Sequence, residues 1–303
     1  MANTLISGLV NVETTLKVRQ FPIEYYPIDY PFFGVNTAVS GVGFNLASAL
    51  HTLGDNIRLA GMLGSDFQAA YIRDTFATRG LPTDGLLPLL EQTPSSVFLY
   101  EDSGRRQVWC DLKDIQEQAY PFTAELLRDV DLVAACNINF NRPLLAMAKA
   151  AGKTIATDVH VLSDIYDEYN RDFLQAADIL FLSDEAIGQD YAPFLRSIAD
   201  TYATRTIVLG RGSQGAALQE NGVLTALPAV QVGPVVNTVG AGDALFAAFL
   251  HYHCKGLCSL EALKRAQLFA SAKITANGGG AGFVEEAKIE EYYCRFAAEM
   301  IPF

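Results

Sequence analysis

Short apolar runs alternate with segments of helical spacing from one end of this chain to the other, and most of the helical segments stop at a glycine. Thr4–Val10 is an apolar run closed by Asn11, and Asn45–Leu53 has helical spacing and stops at Gly54. Ile57–Met62 reads as a strand, and Asp66–Arg79 as an amphipathic helix ended by Gly80, a natural C-cap. Asp131–Cys136 (strand), Pro143–Ala151 with Gly152 (helix), Thr154–Asp158 and Asp178–Leu182 (strands) continue the order, and Thr206–Leu209 and Val235–Val236 complete the strands. Repeated strand–helix order predicts an α/β fold: a mostly parallel central sheet with helices on both faces. The 303 residues contain no repeat and no Pro/Gly/Ser-rich linker, so residues 1–303 are expected to form a single α/β domain.

Two segments, approximately 13–37 and 93–111, break this order. Glu13–Thr37 is rich in Pro, Tyr and Phe and lacks helical spacing. Thr93–Asp111 carries a hairpin signature, in which SSVFLYE and RRQVWCD flank the turn Asp102-Ser103-Gly104. Both could leave the main sheet and form a small β-lid over its open end; an ordinary β-extension is the other reading.

Composition removes several functional classes. The net charge of −12 and the lack of a basic run argue against a nucleic-acid partner, since affinity for the phosphate backbone comes from clustered Lys and Arg. Five scattered cysteines favour reduced thiols over a disulfide framework, and Cys254 and Cys258 have no second Cys/His pair to complete a zinc site. His251 and His253 alternate within an apolar stretch and read as packing or surface residues. No apolar run is long enough to span a bilayer, so no membrane partner is expected. The opening MANTLISGLVNVE lacks a basic n-region and reads as a first strand rather than a signal peptide, which makes the cytoplasm the expected location.

The segment with most chemical content is Asn237-Thr238-Val239-Gly240-Ala241-Gly242-Asp243-Ala244-Leu245-Phe246. An apolar run enters a glycine-rich turn that opens into the helical stretch Ala244–Cys254. At a helix N-terminus the first N–H groups lack intrahelical partners and the aligned peptide dipoles create positive potential. Glycines let the backbone approach an anion closely. Asp243 in the same turn can take a proton from an incoming hydroxyl, so base and anion cradle coincide, as hydroxyl-to-phosphate transfer requires. The turn is neither a GxxxxGK[ST] phosphate loop nor a dinucleotide fingerprint; a plain tight turn with a helix-start acid is the bland alternative.

NTVGAGDALFA resembles the DTTGAGDAF signature of the ribokinase-like (PfkB) carbohydrate kinases. Gly8–Glu13 resembles that family's GxxNxD, Ser40–Ala47 with Leu53-Gly54 its GGxGxN-A…LG, and Gly61–Asp66 its GxxGxD. Gly212–Ala216 and Ala270–Gly282 are similar to its late GxxGa and closing segments, so the resemblance covers essentially the whole chain in family order. It implies a ribokinase-like fold and an ATP-dependent transfer of a phosphoryl group to a hydroxyl of a sugar or sugar-like molecule. Asp243 would be the catalytic base, and the amides of Gly240, Ala241 and Gly242 would hold the transferred charge. Asn11, Glu13, Gly41, Gly43 and Asn45 would bind the acceptor, Asn45 serving also as a helix N-cap. ATP would lie along Gly212 and Gly215 with its adenine near Asn277 and Gly280. Mg²⁺ would bridge the phosphates, held through water with help from Glu185, or from Asp184 in its place.

The departures from the family pattern shape the remaining expectations. Glu13 replaces an Asp, Ser40 a Gly, and Asp158-Val159-His160 the usual D-x-N; the N-x-x-E motif is degenerate around Ser183–Ala186. Asn237 and Val239 stand where potassium-activated members carry Asp and Thr ligands for a monovalent cation, so a weak potassium response is expected. Nucleoside kinases share the scaffold, and the aromatic Phe21–Phe33 segment could stack on a base as on a sugar ring. Arg105 and Arg106 could meet a phosphorylated acceptor, although an unphosphorylated one is the favoured reading. The degenerate motifs also allow a non-catalytic, metabolite-binding regulator. An exposed lid edge invites a homodimer through the lid.

Overall fold

The computed structural model describes residues 2–101, 105–188 and 190–303. The chain opens with β1 (Asn3–Ser7), β2 (Asn11–Lys17), β3 (Val35–Ser40), α1 (Val42–Thr52), β4 (Asn56–Leu63), α2 (Phe67–Thr78) and β5 (Leu86–Pro88). The middle holds β6 (Ser95–Tyr100), β7 (Arg106–Asp111), β8 (Leu132–Ala135), α3 (Arg142–Ala150), β9 (Thr154–Val161), α4 (Arg171–Ala176), β10 (Ile179–Ser183) and α5 (Ala192–Tyr202). The last part carries β11 (Thr206–Gly210), β12 (Ala216–Glu220), β13 (Val223–Leu227), α6 (Ala241–Cys254), α7 (Ser259–Lys273) and α8 (Glu286–Phe296).

Among the described residues one sheet runs β13-β12-β11-β10-β9-β8-β1-β4-β5, parallel from β11 to β5, with an antiparallel hairpin at the β13 edge. Its strands are apolar on both faces because both are covered. Along β10, Ile179 and Phe181 pack with α6 and α7, whereas Leu180 and Leu182 pack with α3, α4 and α5. Phe181 meets Phe246 of α6 with ring centroids 4.6 Å apart. This packing fixes the start of α6 beside the carboxyl ends of the parallel strands, where loops of open α/β sheets gather.

The second sheet has the order β3-β2-β6-β7. β2 and β3 lie within the 13–37 segment apart from their ends, joined by residues 18–34, which form no regular strand. β6 and β7 pair antiparallel from Ser95↔Asp111 to Tyr100↔Arg106. The expected turn Asp102-Ser103-Gly104 lies outside the described residues.

Several expectations need correction. Val235–Val236 is not a strand: it follows Pro234, which has no N–H to give a ladder, and Val236 N–H instead bonds the Ile274 carbonyl at 2.8 Å. The sheet edge it might have taken belongs to the β12–β13 hairpin, whose two-residue turn Asn221-Gly222 has positive φ at both positions (50° and 79°). The Asn-Gly pair is a hairpin signal that the sequence carries. Asn45 is not an N-cap. α1 starts four residues earlier, with Gly41 as cap at φ 97°, and Asn45 lies inside the helix with its side chain free for another task.

Candidate active site

The site forms where α1 and α6 point their N-terminal turns at the end of β1 and the root of the second sheet. Gly43 N–H bonds the Leu9 carbonyl at 2.8 Å, and a Cβ on Gly43 would sit 2.9 Å from both the Gly8 and Leu9 carbonyl oxygens. Only glycine permits this approach of helix and turn, so the GLVNVE and SGVGFN segments fold against each other. Asn11 and Asn45 are thereby brought into one cleft, both nearly fully buried.

Asp243 enters from the first turn of α6. Gly240 caps that helix in the left-handed region (φ 75°), with no side chain satisfying the helix-start amides. A Cβ on Gly240 would strike the Gly279 carbonyl oxygen at 2.5 Å, whereas one on Gly242 would meet nothing within 4 Å. The turn is therefore closed on its Gly240 side by the 278–282 loop and open at Gly242. Asn45 Nδ2 donates to Asp243 Oδ2 at 2.6 Å. Burial pushes the Asp243 carboxyl above its ordinary range, assisted by Asp158, while Asn45, His160 and Lys273 act against the rise.

Glu13 lies in the same cleft. Its Oε2 accepts from Ser40 Oγ at 3.3 Å, and burial raises its carboxyl, with the Asp243 charge adding to the rise. Asn11 Nδ2 donates to Ser96 Oγ of β6 at 3.1 Å, which ties the cleft to the second sheet. The side-chain oxygens of Asn11 and Asn45 are buried without a hydrogen-bond partner. Two buried acceptors cost free energy unless a donor reaches them, and hydroxyls are suitable donors.

The remaining candidates fall on neighbouring loops. Gly212 (φ 52°) and Gly215 (φ 97°) sit between β11 and β12, where a Cβ on Gly215 would run into the Leu227 carbonyl at 2.0 Å while Gly212 faces open space. Arg211 of this loop stacks over Tyr191 at 4.4 Å and reaches Asp184 at 4.0 Å. Asn277 Oδ1 accepts from Asn237 Nδ2 at 2.7 Å, and the Gly280 carbonyl accepts from Arg79 Nη1 at 2.6 Å, so the loop after α7 is tied to the segment entering the Gly240 turn at one point and to the end of α2 at another. Glu185 follows β10 and pairs with Arg106 of β7 at 2.9 Å. Among the described residues no three His, Cys, Asp or Glu side chains gather into a metal cage. A magnesium ion would thus need phosphate oxygens and water for most of its shell, which suits that ion's preference.

Asp66 of the GxxGxD segment belongs to the frame. It caps α2 through Ala69 N–H at 2.9 Å and also receives Thr93 N–H and hydroxyl. Burial acts to raise its carboxyl, but these bonds outweigh it and hold the group below its ordinary range. Sequence reasoning missed Lys273, fully buried at the end of α7, whose ammonium donates to the Val239 carbonyl. A lone lysine in the alanine-rich run ASAKITA was the available signal.

Comparison with known proteins agrees with this layout. The chain matches the pfkB family carbohydrate kinase over residues 5–287. It is 26% identical over 293 residues to the acarbose 7(IV)-phosphotransferase of an Actinoplanes species, covering 95% of this chain and 97% of that one. A microbiome-derived acarbose kinase superposes with a TM-score of 0.82 at 24% identity, over 97% of this chain and 99% of that one. The ribokinase of Arabidopsis thaliana, complexed with ribose and ATP, gives a TM-score of 0.79 at 19% identity, over 96% and 98%. With its large, mostly parallel sheet in a ribokinase-like fold, the chain belongs to the pfkB family of carbohydrate kinases, enzymes that move a phosphoryl group onto a hydroxyl.

Proposed function

We propose that this kinase uses ATP as donor and a sugar or sugar-like alcohol as acceptor, with Asp243 as general base. The observation that carries the reading is the cleft in which Asp243, held by Asn45, faces buried amide oxygens that lack donors. An acceptor hydroxyl gives its proton to Asp243, and its oxygen forms the new O–P bond. The bond from the γ-phosphorus to the β,γ-bridging oxygen breaks, and ADP leaves with that electron pair. Helix-start amides at Gly240, Ala241 and Gly242 would face the charge spreading over the phosphoryl oxygens. Gly212 and Gly215 would border the nucleotide, and bound magnesium would neutralise phosphate charge, with Glu185 as the acid within reach of its water shell. Asn11, Glu13, Gly41, Gly43 and Asn45 would hold the acceptor; amides and carboxylates match adjacent hydroxyls. The lid would close over it and exclude water as a competing acceptor.

The Actinoplanes relative is named for acarbose, which puts oligosaccharide-like acceptors first among those to test. The test is ADP release from Mg·ATP against acarbose, maltooligosaccharides, pentoses, hexoses and nucleosides. Asp243→Asn should lower kcat by roughly 10²–10⁴ with the fold intact. A variant that keeps near-full activity would remove Asp243 from the role of base.

A further inference from the structure

Lys273 is completely buried, and an unpaired ammonium in that position is costly. It is the last residue of α7, and its side chain reaches 34 positions back along the chain to donate to the carbonyl of Val239, the residue before Gly240. Its own carbonyl receives Ala276 N–H at 3.1 Å and lies where a Cβ on Gly282 would come within 2.7 Å, so the glycine loop folds tightly around it. That loop in turn rests on Gly240 through Gly279. The lysine is therefore enclosed by the catalytic turn and the loop bracing it.

A neutral donor would serve the Val239 carbonyl as well. What a neutral donor cannot do is answer the two carboxylates of the cleft. Ser40, which donates to Glu13, and Asn45, which donates to Asp243, both lie against Gly279 of the loop that encloses the lysine, and both carboxylates pull the lysine towards its charged form.

We propose that the Lys273 ammonium is a built-in cation of the active site, a positioning residue that holds the Val239–Asp243 turn and balances the negative charge of Glu13 and Asp243. This rests on the reading of Asp243 as base, but its charge coupling is measurable apart from turnover. Burial pushes the ammonium down to about 8, with Asp243 and Glu13 pulling it up.

Two experiments decide it. In Lys273→Met the acidic limb of kcat/KM should move to higher pH, with kcat at least tenfold lower; in Lys273→Ala, ammonium or methylammonium should restore activity severalfold. Tetramethylammonium at equal ionic strength, and the wild type with any of these ions, should show no gain. An unshifted pH profile in Lys273→Met, or a folded Lys273→Ala that no small cation rescues, overturns the proposal. Should neither variant fold, ¹³Cε titration of Lys273 by NMR in wild type and Asp243→Asn gives the answer. Loss of the Asp243 charge should lower the lysine's midpoint, and an unchanged midpoint overturns the proposal. If instead Asp243→Asn retains full turnover while the midpoint still falls, the base assignment fails and the cation assignment stands.

Discussion

The side-chain amide of Asn45 donates to the carboxylate of Asp243 at 2.6 Å, joining residues 198 positions apart. One stands inside α1 and the other in the first turn of α6, so this single bond registers the two helices against each other across the cleft. The Asp243 carboxylate is thus oriented before any ligand arrives.

Removing that bond should affect proton transfer more than folding. Burial raises the Asp243 carboxyl, and Asn45 opposes the rise by stabilising the ionised form. In Asn45→Ala the carboxyl should rise further, so the acidic limb of kcat/KM moves to higher pH, and kcat falls roughly tenfold or more, in line with a hydrogen bond to a charged group. A pH–rate profile checks both.

Asp243→Asn should be no less stable than the wild type despite its loss of activity. A carboxyl raised in the folded state favours protonation there, so its contribution to stability is present at low pH and is lost as pH rises through the folded value. At neutral pH the ionised group is a liability, which the asparagine removes. Thermal melts at pH 7 and pH 4 should show the variant's advantage at the higher pH and its disappearance at the lower.

Arg106 and Glu185 connect β7 to the end of β10 at 2.9 Å, with side chains 41% and 57% exposed. An exposed pair contributes little to stability and is screened by salt. Arg106→Ala should leave the Tm within about 2 °C, given a contribution of about 0–1 kcal/mol. If the pair helps seat the lid, the wild-type KM should rise with ionic strength and the variant's should not, which steady-state kinetics from 0.05 to 0.5 M salt would show.

His251, one of the two histidines expected to be packing or surface residues, is buried and its Nδ1 lies 2.8 Å from Asp55 Oδ2, with Glu286 3.7 Å from the other ring nitrogen. Asp55→Ala strands the imidazole and should cost about 1–3 kcal/mol in urea unfolding. The KM for ATP should not change, because the pair lies under the far end of α6.

Potassium should activate weakly. The Val239 carbonyl is engaged by Lys273, and Asn237 spends its amide on Asn277 and its oxygen on Val239 N–H at 2.8 Å. Rates in K⁺ and Na⁺ at equal ionic strength should agree within about twofold, a difference of roughly 0.4 kcal/mol; a large K⁺ gain would show that a cation finds ligands here after all.

The sequence by itself determined the alternating strand–helix order, the parallel sheet it implies and the Gly240–Asp243 turn, because periodicity, glycine caps and a helix-start acid are local features. It did not show that Val235–Val236 lacks a sheet neighbour, since the edge it might have joined is taken by the β12–β13 hairpin, a pairing made through space. Nor could it assign Asn45, whose side chain in isolation suits a helix cap and whose partner lies on another helix. Only the tertiary structure decided that Lys273 is buried under the Val239–Asp243 turn, and that Arg106 meets Glu185. Such pairings depend on which faces meet when α1, α6 and α7 pack on the sheet, and a charge's partner is set by distance through space, which spacing along the chain does not encode.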